Sequence, residues 1–283
     1  MSYANPDALV STDWLAQHLD APDVRVVDGS YFMAETGRDA RAEYYERHIP
    51  GAVFFDINEI ADTDNPLPHM MPRQEKFASR VRKLGLGDGV RIVVYDGLGL
   101  FSAARVWWMF RVFGHTDIAV LDGGLPKWLA EDRPVTDDET MPRERHFTSR
   151  LNSLLLRDLD QMTANLESKR EQVIDARSPG RFEGREAEPR PGLRAGHIPG
   201  SRDLHYRRLL GPGTGTMVDA KTLHGLFGEA SLDLSRPVTA SCGSGVTAAI
   251  LALGLYLIGY PDTAVYDGSW SEWGSREDTP IEP

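Results

Sequence analysis

Cysteine is nearly absent. Cys242 stands alone among 283 residues, so neither an internal disulfide nor a multi-cysteine metal site can form. Positive charge is also scarce. Lys and Arg number 31 against 42 Asp and Glu, a formal charge of -11, and so acidic a chain lacks the cationic field that holds nucleic acid. Long hydrophobic runs are missing too. The most apolar stretch, Val246–Tyr260, is shorter than the roughly 20 residues of a membrane span and is interrupted by glycines, so a buried helix is expected there. The first residues show no basic start leading into an apolar core, so no secretory signal is expected. A lone thiol without an export signal points to the cytoplasm.

What is present is ordinary for a folded chain, 41% hydrophobic and 26% charged, and the length suits two domains. The organisation shows in a repeat. VRVVD at 24–28 returns as QVID at 172–175, and HIPGA at 48–52 as HIPGS at 197–201. VVYDG at 93–97 is matched by VTASC at 238–242, and VLDGG at 120–124 by VYDGS near 265–269. Four ordered matches at a nearly constant offset indicate two copies of one domain. Strand-like runs (24–28, 52–55, 91–95, 117–121, then 172–175, 237–241, 263–266) alternate with helical patterns (74–84, 102–113, 246–258). The expected class is α/β, with a mainly parallel sheet and helices on both faces in each copy. The domains are expected at 1–138 and 153–283. Their linker, 139–152, lies in a polar, aperiodic stretch beginning near Pro134. Trp107, Trp108 and Met109 fall on a helical pattern and read as core or domain interface.

Cys242 sits where the run RPVTAS meets the helix through CGSG. That places it at the carboxyl end of a strand, where open α/β sheets bind ligands. Glycine-rich loops turn successive N–H groups inward, and a helix N-terminus adds positive potential, so the thiolate is favoured over the thiol. The opposing reading is an inert, buried small hydrophobe. The first copy argues against it, because YDGLGLFS has Asp96 or Gly97 at the matching place. One active and one inactive domain is the simplest account. Arginines crowd 177–194 (Arg177, Arg181, Arg185, Arg190, Arg194), as a site for a small anion requires; a solvated charged loop is the alternative. His48 and His197 each open a His-Ile-Pro-Gly turn, and their recurrence favours turn bracing.

Two copies, one CGSGVT loop and a HIPG turn in each resemble the rhodanese-domain sulfurtransferases, from about Ser11 to Trp273. Cys242–Thr247, GRF at 180–182 and AEPRPG at 187–192 are similar to the members that use 3-mercaptopyruvate. Gly243 and Ser244 stand where thiosulfate-preferring members typically carry basic residues. The resemblance implies that Cys242 accepts sulfur within the loop Gly243, Ser244, Gly245, Val246 and Thr247. It implies that Arg181 and Arg190 bind the keto acid. It further implies that Ser244, His48 and an acidic residue of GRDAR, taken as Asp39, handle a proton between the domains. Sulfur would pass from 3-mercaptopyruvate through a Cys242 persulfide to a thiol, cyanide or a thioredoxin-like acceptor, releasing pyruvate. No metal or organic cofactor, nucleic acid or membrane is called for. The alternatives are a thiosulfate:cyanide sulfurtransferase, a cysteine phosphatase and a non-catalytic scaffold. A phosphatase needs an arginine six positions after the cysteine, where Ala248 stands.

Overall fold

The computed structural model describes residues 2–283. The first half runs β1 (Leu9–Val10), α1 (Thr12–His18), β2 (Val24–Asp28), α2 (Ala40–Glu46), β3 (Val53–Phe54), α3 (Gln74–Lys83), β4 (Arg91–Tyr95), α4 (Ala103–Val112), β5 (Ile118–Leu121) and α5 (Gly124–Ala130). The second half runs β6 (Leu156–Arg157), α6 (Leu159–Ser168), β7 (Gln172–Asp175), α7 (Pro179–Phe182), β8 (Arg202–Asp203), α8 (Ala220–Glu229), β9 (Val238–Ser241), α9 (Ala248–Leu257), β10 (Ala264–Tyr266) and α10 (Ser269–Trp273). Each half forms a five-stranded parallel sheet, ordered β1-β5-β4-β2-β3 and β6-β10-β9-β7-β8. The inner strands β4, β5 and β9 are buried on both faces, which is why β4 and β5 read as nearly unbroken apolar runs. No helix among the described residues is long and apolar enough to cross a membrane.

Asp and Ser set the helix starts. Ser11 caps α1, Asp158 and Gln161 form a capping box on α6, and Asp219 caps α8. Two helices are apolar on nearly every side, α4 and α9. Such helices must be covered all round. Each packs on its own sheet, and they meet in one core shared by both halves, where Trp107 lies edge-on to Tyr256 at 5.3 Å. Trp108 donates to the Leu155 carbonyl across the same boundary.

A charge is buried in that boundary. Arg105 of α4 is 1% exposed, and its Nη2 donates to Asp267 Oδ1 at 2.7 Å and to the His69 carbonyl at 2.5 Å. Its Nη1 reaches the Gly245 carbonyl at 3.4 Å. Asp267 also accepts from the Met71 N–H at 2.6 Å. One ion pair therefore fixes a first-half loop to the loop after β10, and the same arginine touches the loop after β9 through Gly245.

Candidate active site

The chain leaves β7 towards β8 on one side and returns to β9 on the other. That reversal opens a crevice beyond the carboxyl ends of β7 and β9. Cys242 is the first residue after β9 and lies on the floor of a cleft of about 200 Å³. Gly243, Ser244, Val246 and Thr247 line the cleft with it, as do Arg177, Arg181 and Arg190. Tyr31, Met33 and Phe101 close it from the first half.

The loop backbone is held from behind. Ser269 Oγ accepts the Cys242 N–H, the Trp270 N–H donates to the Cys242 carbonyl, and Ser271 binds the Gly243 carbonyl through both N–H and hydroxyl. The N–H groups of residues 243–247 have no protein acceptor among the described residues. Such a row of free donors at a helix start is an anion cradle. Glycine is required twice. Gly245 has φ +75°, and a Cβ on it would lie 2.7 Å from Arg105 Nη1. A Cβ on Gly243 would sit 3.1 Å from Arg181 Nη2, so its absence lets the guanidinium come down onto the loop.

The first sheet supplies the comparison. Tyr95 pairs with Asp28 as Ser241 pairs with Asp175, so Asp96 holds the place of Cys242. Its buried carboxylate accepts from the N–H groups of Leu98, Phe101 and Ala103 at 2.6–2.9 Å. In the first half the cradle is filled by its own side chain. In the second half it is open above a thiol.

The arginines separate into distinct roles. Arg177 is fully buried, held by Asp175 (2.8 Å), Glu188 (2.7 Å) and the Gly196 carbonyl, with its guanidinium 4.3 Å from the Trp270 ring centroid. Arg181 donates to the other Glu188 oxygen at 2.5 Å. Arg185 pairs with Glu183 at the surface, and Arg194 binds carbonyls near the C-terminus. Arg190 has no carboxylate partner among the described residues, and its Nη2 donates to Ser244 Oγ at 3.3 Å.

The histidine beside Ser244 is His69, which corrects the placement expected of His48. His69 Nδ1 lies 3.1 Å from Ser244 Oγ, and Nε2 lies 3.0 Å from Asn58 Oδ1. With the amide oxygen taking the Nε2 proton, Nδ1 is left to accept from the serine hydroxyl. Burial, together with the Arg105 and Arg190 charges, lowers the His69 pKa to about 3, so the ring is neutral. Its backbone is left-handed, φ 60°, and is tied down by Arg105 through the His69 carbonyl. His48 is fully buried elsewhere, with Nδ1 on the Tyr44 carbonyl and its ring stacked on Tyr44. His197 repeats this arrangement on Phe182. Both are turn braces. Asp39 is likewise not at the cleft; its carboxylate caps α2 by accepting from Arg41 and Ala42. One sequence signal marks His69. It is a histidine between prolines, Pro68 and Pro72, with no counterpart in the second copy.

A family model described as rhodanese-like domain matches the chain twice, at residues 11–131 and 158–276. The human 3-mercaptopyruvate sulfurtransferase is 45% identical over 95% of this chain and 92% of its own. The rat thiosulfate sulfurtransferase is 46% identical over the same shares. Among solved structures, the 3-mercaptopyruvate sulfotransferase SseA of Escherichia coli superposes with a TM-score of 0.85 at 36% identity, covering 93% of this chain and 98% of its own.

Proposed function

The chain belongs to the rhodanese-like domain family, and from that premise we propose that it is a sulfurtransferase taking sulfur from 3-mercaptopyruvate. The observation that carries this reading is the open cradle of N–H groups above the Cys242 thiol, beside one guanidinium that lacks a carboxylate. Overall likeness does not choose the donor, since relatives named for either are equally similar. The loop does. Gly243 and Ser244 bring no charge, and thiosulfate carries two. We divide the chain as 1–138 and 153–283 about a linker at 139–152, with the nucleophile in the second part.

In the first half-reaction the Cys242 thiolate attacks the thiol sulfur of 3-mercaptopyruvate. A sulfur–sulfur bond forms and the carbon–sulfur bond breaks, its electron pair passing to the pyruvate enolate. The thiol proton must leave sulfur and reach that enolate carbon. Ser244 and neutral His69, oriented by Asn58, form the relay at hand. Cys242 keeps the sulfur as a persulfide anion held by the loop amides. Arg190 holds the substrate carboxylate, with Arg181 beside it. In the second half-reaction a thiol, cyanide or a thioredoxin-like protein attacks the outer sulfur, and Cys242 leaves as thiolate. Because that thiol must be reduced at the start of each cycle, a reducing compartment, the cytoplasm, suits the chemistry.

Intact mass after brief exposure to 3-mercaptopyruvate tests the scheme. Wild-type protein gains one sulfur atom and Cys242→Ser gains none. Uptake from thiosulfate alone would support the thiosulfate:cyanide reading, and uptake from neither would support a binding role.

A further inference from the structure

The charged wall behind the cradle is nearly balanced, and one residue balances it. Glu188 has a side chain only 3% exposed, and it serves two cations at once, Arg177 through Oε1 and Arg181 through Oε2. Asp175 supplies the second anion, on Arg177. Three buried or half-buried guanidiniums thus face two carboxylates, leaving one unmatched positive charge, on Arg190. Apart from Cys242, whose thiolate is met by the loop N–H groups, the other titratable groups lining the cleft do not alter this balance. Burial and the Arg207 and Arg181 charges push His205 below its usual range, so it is neutral, and burial raises the Tyr31 hydroxyl. Arg207 is exposed at the mouth, where solvent and salt screen it.

A buried carboxylate beside an anion site opposes anion binding, so its presence asks for a reason. We infer that Glu188 sets the charge of the donor: by neutralising Arg181 it leaves the cleft one cation, and so selects a donor with one anionic group over a dianion. The inference rests on the sulfurtransferase reading and adds a specificity-determining residue to it. A keto acid with one carboxylate is matched by Arg190. Thiosulfate brings a second negative charge that would be desolvated without a partner. Neutralising Glu188 frees Arg181 as that partner.

The test is kcat/KM for 3-mercaptopyruvate and for thiosulfate, with cyanide as acceptor, in the full chain and in Glu188→Gln and Glu188→Asp. Glu188→Gln is expected to raise the thiosulfate-to-mercaptopyruvate ratio about tenfold or more. Glu188→Asp keeps the charge and is expected to keep the ratio. An unchanged ratio in Glu188→Gln, or equal losses for both donors in both variants, would overturn the inference. A second measurement needs no variant: pyruvate should inhibit the wild type at lower concentration than oxalate, a dianion of similar size. Tighter inhibition by oxalate refutes the charge argument while leaving sulfur transfer intact. Wild-type protein that turns over neither donor defeats the underlying reading, and this inference with it.

Discussion

Arg181 and Arg190 look equivalent along the chain, but the structure makes them unequal, and the difference can be measured. Arg181 already spends its charge on Glu188 at 2.5 Å, whereas Arg190 has only neutral partners. A hydrogen bond to a charged group contributes about 1.5–3 kcal/mol net. Replacing Arg190 with Gln should therefore lower kcat/KM for 3-mercaptopyruvate roughly 10- to 150-fold. The loss should appear chiefly in KM, because the substrate carboxylate is held alike in ground and transition states. Arg181→Gln should cost about tenfold less in the same assay, although it also leaves Glu188 without one partner. Alkylation of Cys242 by a neutral reagent controls for damage to the cradle and should change less than threefold, by the same reasoning, in Arg190→Gln. Equal losses from the two substitutions, or a larger loss from Arg181→Gln, would refute the assignment of the free cation to Arg190.

Other outcomes follow from the same geometry. His69→Asn, chosen because Asn tolerates the left-handed backbone, should slow sulfur uptake from 3-mercaptopyruvate by about 100-fold or more in stopped-flow. Uptake from thiosulfate, which needs no proton on a carbon leaving group, should be spared; equal slowing would remove His69 from the relay. His69 also leaves a mark on stability. Its folded pKa, about 3, lies below the ordinary 6.5, so the unfolded chain binds the extra proton between those values. The stability associated with the neutral ring is full above about pH 6.5 and is lost as pH falls towards 3. Asp28, Asp122 and Asp203, raised to about 6, act in the opposite sense, gaining stability on acidification. The comparison must therefore be differential: the melting temperature of His69→Asn should fall less steeply than wild type across this window. Arg105→Met leaves Asp267 buried without its cation and should destabilise the protein by about 3–5 kcal/mol in urea unfolding. A change below about 1 kcal/mol would show that the pair does not join the halves.

Much of the fold was legible because its signals are local. The inner strands β2, β4, β7 and β9 carry β-branched residues over four or five positions and are legible within a residue of their ends. The two-residue edge strands β1, β6 and β8 carry too few side chains to show any period. Leu155 lies in a 3-10 turn just before α6, because Asp158 caps the helix after it. His48 shows how two lines of reading can disagree. Its recurrence as His197 pointed to a turn brace, the resemblance pointed to proton transfer, and the hydrogen bond to Tyr44 favours the first.

Two copies of one unit, a single thiol where a strand gives way to a glycine-rich loop and a helix, and a sister copy that lacks it are all readable along the chain. Those are properties of neighbours along the chain, fixed by periodicity, glycine freedom and residue type. Which histidine meets Ser244, 175 positions away, and which arginine is left without a carboxylate are set by packing in three dimensions. Both depend on how the two sheets dock through α4, α9 and the buried Arg105–Asp267 pair, and on a competition among nearby charges for the same acceptors. Distances across a domain boundary and the sharing of one glutamate between two guanidiniums have no counterpart in spacing along a chain.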